Sequence, residues 1–446
     1  MLDCFAKERL ALTLFIFILL VLSLFWGTFF HVHQNLGSFV VWIVDFDGVN
    51  DSSGDLPVIG PALIQEVEKA IQSTSPHVGY GVLPASHFNN DPIEVRRAIY
   101  DYDAWAAIVI NPNATSALRQ ALETGDASYD PTSACQVVYV EARDTVAVDT
   151  YIRPELIIFQ TNALASISAA WTREVMKSFT TSTRANILAS PQTLSPAIGF
   201  ETINLRPFGP PTVTPAVTVG LIYLIILAFF SFAFFMPTHF RFLSQLGGKH
   251  RVYFGHLVIW KYVSTTSAYF FMSLAYSLVP LAFQIPFSNG PASHTEPALN
   301  PNAYGHASFF IYWMINFMGM CALGLACENV AMFIGQPYTA FWLIFWVISN
   351  VATSFYPIEV APAFYTYGYA FPLHSIVEAT KIILFDVHST MGLHVGILLS
   401  WWAVNTAVFP LAAWWFRMGV LEKYSYQDLV KLAKWKLMFS NGANLI

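Results

Sequence analysis

Charge is what this sequence has least of. Lys, Arg, Asp and Glu supply 11% of 446 residues and apolar types 55%, whereas a water-soluble domain carries roughly 25% charged residues. A chain so poor in charge is not solvated by water along its whole length. The formal net charge of -6 is small, with acidic residues gathered in residues 31–215 and lysines in the tail; nothing here suits nucleic acid. Cysteine is scarce too. Of Cys4, Cys135, Cys321 and Cys327, only Cys135 lies in residues 31–215, so that stretch can hold no internal disulfide. No CxxC or Cys/His spacing offers a structural zinc site. Nucleotide and hydrolase signatures are also missing: Gly247-Gly248-Lys249-His250 has neither the spacing nor the hydroxyl of a phosphate loop, and HExxH and GxSxG do not occur. No catalytic residue, cofactor or metal is expected, and the chain reads as a non-enzyme.

Long apolar runs are what it does have. Crossing a bilayer takes about 20 apolar residues in helix, and residues 10–30, 216–235, 257–283, 307–327, 338–355 and 393–416 each come near that length. The first run exceeds the roughly 7–15 residues of a signal-peptide core and has no clear small-residue cleavage site, so it reads as a retained anchor. Orientation follows from basic residues, which resist translocation. Lys7 and Arg9 precede the first run, Arg241, Lys249 and Arg251 fall between the second and third, and Arg417, Lys423, Lys431, Lys434 and Lys436 follow the last. Of the short connections on the other side, residues 286–306 hold no Lys or Arg and residues 356–392 hold only Lys381. The expected fold is therefore an α-helical polytopic membrane protein with six transmembrane helices, a short cytoplasmic N-terminus (residues 1–9) and a cytoplasmic tail (residues 417–446). Residues 427–439 of that tail can form an amphipathic helix on the inner leaflet.

Residues 31–215 differ in kind. Strand-like patterns at 39–46, 78–83, 105–111 and 136–141 alternate with helix-like patterns at 61–73, 92–100, 114–124 and 153–188. That alternation predicts an α/β or α+β extracytoplasmic domain between the first and second spans. The sequons at Asn50 and Asn113 become glycosylation sites if it enters the secretory lumen.

Polar residues within apolar runs are costly and point to function or to helix contact. Asn316, Asn350 and Asn405 lie deep in three runs, with helix contact the first expectation. Lys261 lies a turn into the third run, where its stem can snorkel to the headgroups. His31 and His33 lack a third metal ligand nearby and read as interfacial residues. Residues 357–392 carry Pro357, Pro362 and Pro372 and then Glu378 and Lys381; too apolar for a free loop and too broken for a span, they read as a re-entrant segment buried by protein.

Three stretches carry a family resemblance: INLRPFGPPTVTPAVTVGLIYLI from Ile203, YWMINFMGMCALGLACENVAMFIGQPYTAFWLIFWVISN from Tyr312, and the proline-broken run from Thr353 to Asp386. They resemble fungal membrane proteins named for resistance to nitrosoguanidine, whose membrane part is similar to ABC-2-type export permeases; VDFDG at Val44–Gly48 resembles their first outer strand. The resemblance implies a plasma-membrane protein affecting tolerance of toxic compounds, by exporting or redistributing amphipathic small molecules or lipids. It supplies no catalytic residues. Active export would then require a separate ATPase chain docked near residues 237–255 or Glu328–Pro337, and a homo-oligomer is the other partner to test. A receptor or membrane organiser, with the outer domain binding a ligand, is the alternative from another class.

Overall fold

The computed structural model describes residues 2–49, 56–177, 179–231, 253–287, 304–335 and 338–423. Asn50, the basic connection at Arg241–Arg251 and the tail segment at residues 427–439 lie outside them.

The chain begins with α1, Leu2–Trp26. A mixed α/β unit follows, built on β1 (Val40–Asp45), β2 (Gly79–Pro84), β3 (Ala106–Ile110), β4 (Cys135–Tyr139) and β5 (Phe200–Asn204). The sheet order is β2-β1-β3-β4-β5. β1 pairs parallel to both β2 and β3, β4 is antiparallel to β3, and β5 is parallel to β4. Between the strands run α2 (Ile59–Ile71), α3 (Pro92–Tyr100), α4 (Ala114–Thr124), α5 (Arg153–Lys177) and α6 (Thr181–Ala189). Two local expectations need correction. The single helix expected over 153–188 is two, because Thr180 caps a new helix by accepting from Thr183 N. β5 was not expected at all: FETIN is a short strand with a half-exposed pattern and carries Glu and Asn, so it has no apolar alternation to reveal it.

Side-chain alternation along each strand divides the unit into two cores. Val41, Ile43, Ile108, Ile110, Cys135 and Val137 face α2, α4 and α5, where Leu63, Leu118 and Phe159 close the layer. Val44, Val109 and Val138 face the other way, onto Val95, Ile99 and Tyr100 of α3. A second helix shares that face, and it comes from far along the chain.

That helix is α12, reached through five more: the bent pair α7 (Pro211–Val217) and α8 (Val219–Ser231), then α9 (Phe254–Ala282), α10 (Ser308–Ile334) and α11 (Thr339–Val351), with α12 (Pro372–Phe385) and α13 (Met391–Lys423) after them. Three segments, Leu12–Phe29, Gly305–Ile334 and Met391–Met418, are long and apolar enough to cross a membrane, and a fourth qualifies if the pair α7–α8, bent by 41°, counts as one span. α9 has the length at 29 residues, but Lys261 and frequent Ser, Thr and Tyr dilute it. α11 has 13 residues, a rise of only about 20 Å, short of the full span expected over 338–355.

α10 is the axis of the bundle, and 61% of its apolar window is buried against 11% for α1. Gly319 admits Ile376 of α12, and Gly324 admits Tyr269 of α9 together with Ala228 of α8; a Cβ at either position would collide. Small residues at such crossings let backbones approach closely.

Candidate functional site

α12 joins the two halves of the molecule. Of its 14 residues, 12 are buried: Leu373, Ile376, Val377 and Ile383 belong to the helical core, and Ile382, Leu384 and Phe385 to the sheet's second face. Proline at its first turn needs no amide partner, and Asp386 ends it with a φ of 52°. An amphipathic helix would bury one face; α12 buries all of them.

The polar side chains on α12 meet the α/β unit in a buried charged joint. Glu378 and Lys381 form an ion pair at 2.8 Å. Lys381 Nζ also donates to the Arg143 carbonyl at 2.8 Å, and Asp144 lies within its field. Burial raises Asp144 above the usual carboxylate range, with Lys381 opposing that rise. Arg143 lies over the rings of Trp105 at 3.7 Å and Tyr102 at 4.4 Å and donates to the Ala104 carbonyl at 2.9 Å. His374 and His394, ring centroids 6.4 Å apart, close the joint. A latch stands beside it: Arg206 Nη2 reaches Asp386 Oδ2 at 3.3 Å, the Tyr100 hydroxyl donates to the Asp386 carbonyl at 2.8 Å, and His388 Nδ1 lies 3.2 Å from Asp101. Desolvation pushes Asp386 up to about 6 despite Arg206.

A second polar centre lies inside the helices. Lys261 of α9 does not snorkel; it is 7% exposed and pairs with Glu328 of α10 at 3.1 Å. Glu328 is itself 1% exposed, so it offers no docking surface to another chain. The next residue, Asn329, donates to the Asn405 carbonyl and side chain on α13 at 2.9 and 3.3 Å. Asn405 in turn donates to Ala322 O at 3.4 Å. The other two asparagines also tie helices together. Asn316 donates to Ser277 of α9 at 3.0 Å, and Asn350 accepts from Leu373 N of α12 at 3.3 Å.

Between these helices the bundle surface opens into a groove of about 420 Å³ lined by Tyr262, Thr266, Ser267, Phe270, Phe271, Phe317 and Trp402. Its walls are aromatic, with Phe270–Phe317 and Phe317–Trp402 centroids both at 5.4 Å. Its floor is polar: Trp402 Nε1 donates to the Tyr262 hydroxyl at 3.0 Å, and that hydroxyl bonds Thr406 at 2.8 Å. The sequence reading missed this groove because its residues come from three helices and look, one by one, like span filling.

Asn113 is exposed and sits in the left-handed region at the start of α4. Its sequon partner Thr115 is buried, bonding both Asp47 and the amides of Val58 and Ile59. His31 and His33 join no cluster able to hold a metal among the described residues.

An apolar helical bundle packed through a buried helix against a mixed α/β unit defines a membrane protein. The chain belongs to the family described as protein of unknown function DUF3533, whose model matches residues 10–407. It is similar to an uncharacterized endoplasmic reticulum membrane protein of Saccharomyces cerevisiae, 26% identical over 405 residues, covering 87% of this chain and 75% of the relative. No solved structure matches.

Proposed function

We propose that this protein moves or redistributes amphipathic small molecules or lipids across or within its membrane, and that it is not an enzyme. The observation that carries the reading is the groove between α9, α10 and α13: aromatic walls open at the bundle surface above a hydroxyl and indole floor. An amphipathic molecule matches both the walls and the floor, whereas an ion would find no charge on the lining. The resemblance of three sequence stretches to nitrosoguanidine-resistance proteins, whose membrane part is similar to ABC-2-type permeases, supports the same reading, with tolerance of toxic compounds as its cellular effect.

In this reading α1, α7–α8, α9, α10, α11 with its flanking turns, and α13 make six crossings. Both termini face the cytoplasm and the α/β unit faces the opposite side, where Asn113 is available for glycosylation. The related yeast protein is named for the endoplasmic reticulum, which supports an endomembrane site, whereas the plasma membrane is what the resemblance to nitrosoguanidine-resistance proteins implies.

The purified full chain in liposomes containing a fluorescent phosphatidylcholine is expected to speed exchange of the probe between leaflets. Trp402→Ala and Phe270→Ala should slow it several-fold with the protein still folded. Exchange no faster than in empty liposomes would end the transport reading and favour a receptor acting through the α/β unit.

A further inference from the structure

The centre formed by Lys261 and Glu328 has a chemistry that the groove does not require. Glu328 Oε1 takes the Lys261 ammonium at 3.1 Å and a weak hydroxyl contact from Thr265 at 3.4 Å. Its other oxygen, Oε2, is buried with no hydrogen-bond partner, and so is Oδ1 of Asn329 beside it in sequence. The Asn329 amide is oriented by its neighbours, since Nδ2 faces two acceptors on Asn405; its bare oxygen is not an arbitrary assignment. A half-satisfied carboxylate in a low-dielectric interior is costly, and ionisable groups at such depth mark proton and ion paths.

We propose that Glu328 is a proton-binding site whose occupancy exchanges with the Lys261 ion pair. The proton adds to a lone pair of the carboxylate and leaves a neutral acid; no other bond is made or broken. Lys261 stands seven residues into α9, about 10 Å from the helix start, so a released ammonium can reach the headgroups along its stem. A metal ion fits poorly here, because the resident ammonium repels it and the few oxygens fall short of the six or more that hard cations take. Among the described residues, the titratable groups that interact with Glu328 are Lys261 and Tyr269, both from α9; α10 adds Cys327 beside Tyr269, and α13 contributes Phe409 over the Lys261 ammonium and Asn405 on Asn329.

The site is wired to the groove by sequence. Lys261 and Thr265 contact Glu328 while Tyr262 and Thr266 face the groove; on α13, Asn405 bonds Asn329, the residue next to Glu328, while Trp402 lines the groove and Thr406 bonds its floor. Proton binding therefore loosens α9 from α10 at the same turns that shape the groove. This coupling rests on the transport reading, while the proton site itself does not.

Infrared pH titration of the full chain in lipid nanodiscs tests the site. The wild type should show a protonated-carboxyl band component on acidification that Glu328→Gln lacks, and in Lys261→Met that component should appear at higher pH. Lys261→Met/Glu328→Gln removes both charges together, so it is expected to stay folded and must also lack the component. An identical band in wild type and double variant, or no displacement in Lys261→Met, overturns the site. Phosphatidylcholine exchange under an imposed pH gradient separates the two ideas: a Glu328 band with no lipid movement at any pH removes the transport reading alone, and lipid movement without the band removes the proton site alone.

Discussion

Two buried lysines, each paired with a glutamate, sit in settings that could hardly differ more. Lys381 spans the seam between helix and sheet, where Glu378, the Arg143 carbonyl and the field of Asp144 all hold it. Lys261 lies among helices, where its partners include one carboxylate oxygen, the Met332 sulfur at 2.9 Å and the rings of Phe409 and Phe416. The first lysine, bound to a carboxylate and a carbonyl across the seam, acts as a fastening. The second shares a carboxylate that is only half used, which is the condition for exchange. Burial alone therefore says little about the role of an intramembrane or near-membrane charge; what remains unpaired around it says more.

Breaking the outer fastening should have the largest effect. Lys381→Met strands Glu378 and Asp144 and is expected to cost about 3–5 kcal/mol, read as early exposure of the α/β unit to limited proteolysis. Adding Glu378→Gln should restore part of that loss. The same double neutralisation at Lys261 and Glu328 should cost little stability, and a large loss there would erase the contrast between the centres. Gly324→Val comes next: its side chain would press on Tyr269 and Ala228, and overpacking of this kind costs about 1–3 kcal/mol, measured as a lower midpoint of thermal unfolding in detergent. Arg143→Ala, which removes the guanidinium from Trp105 and Tyr102, should cost about 1–2 kcal/mol by the same assay and leave the Lys261 centre untouched.

The smallest effect sharpens the comparison through pH. Asp386 is raised from 3.8 to about 6, so between those values the folded protein holds a proton that the unfolded chain has released. Stability from this group is therefore full below about 4 and declines as pH rises through about 6. Asp386→Asn should flatten that part of the pH profile of unfolding, and a profile unchanged by the substitution would show that the latch does not titrate there.

What the residues determined by themselves was the division of solvent. Runs of about 20 apolar side chains cannot be kept in water, and alternating patterns in residues 39–141 of this sequence made strands and helices wherever both faces of a sheet had to be covered. Prolines 357, 362 and 372 marked a segment that no span could accommodate. Only the tertiary structure decided where that segment went. Leu384 and Ile376 are equally apolar in sequence, yet one closes a sheet and the other a helical bundle, because the polar stripe of that helix, with Glu378 and Lys381, is itself paired at a buried seam and marks no solvent side. Lys261 read alone as a snorkelling lysine, since its partner lies 67 residues away on another helix; ion pairs and grooves assembled across helices depend on distances that linear spacing does not encode.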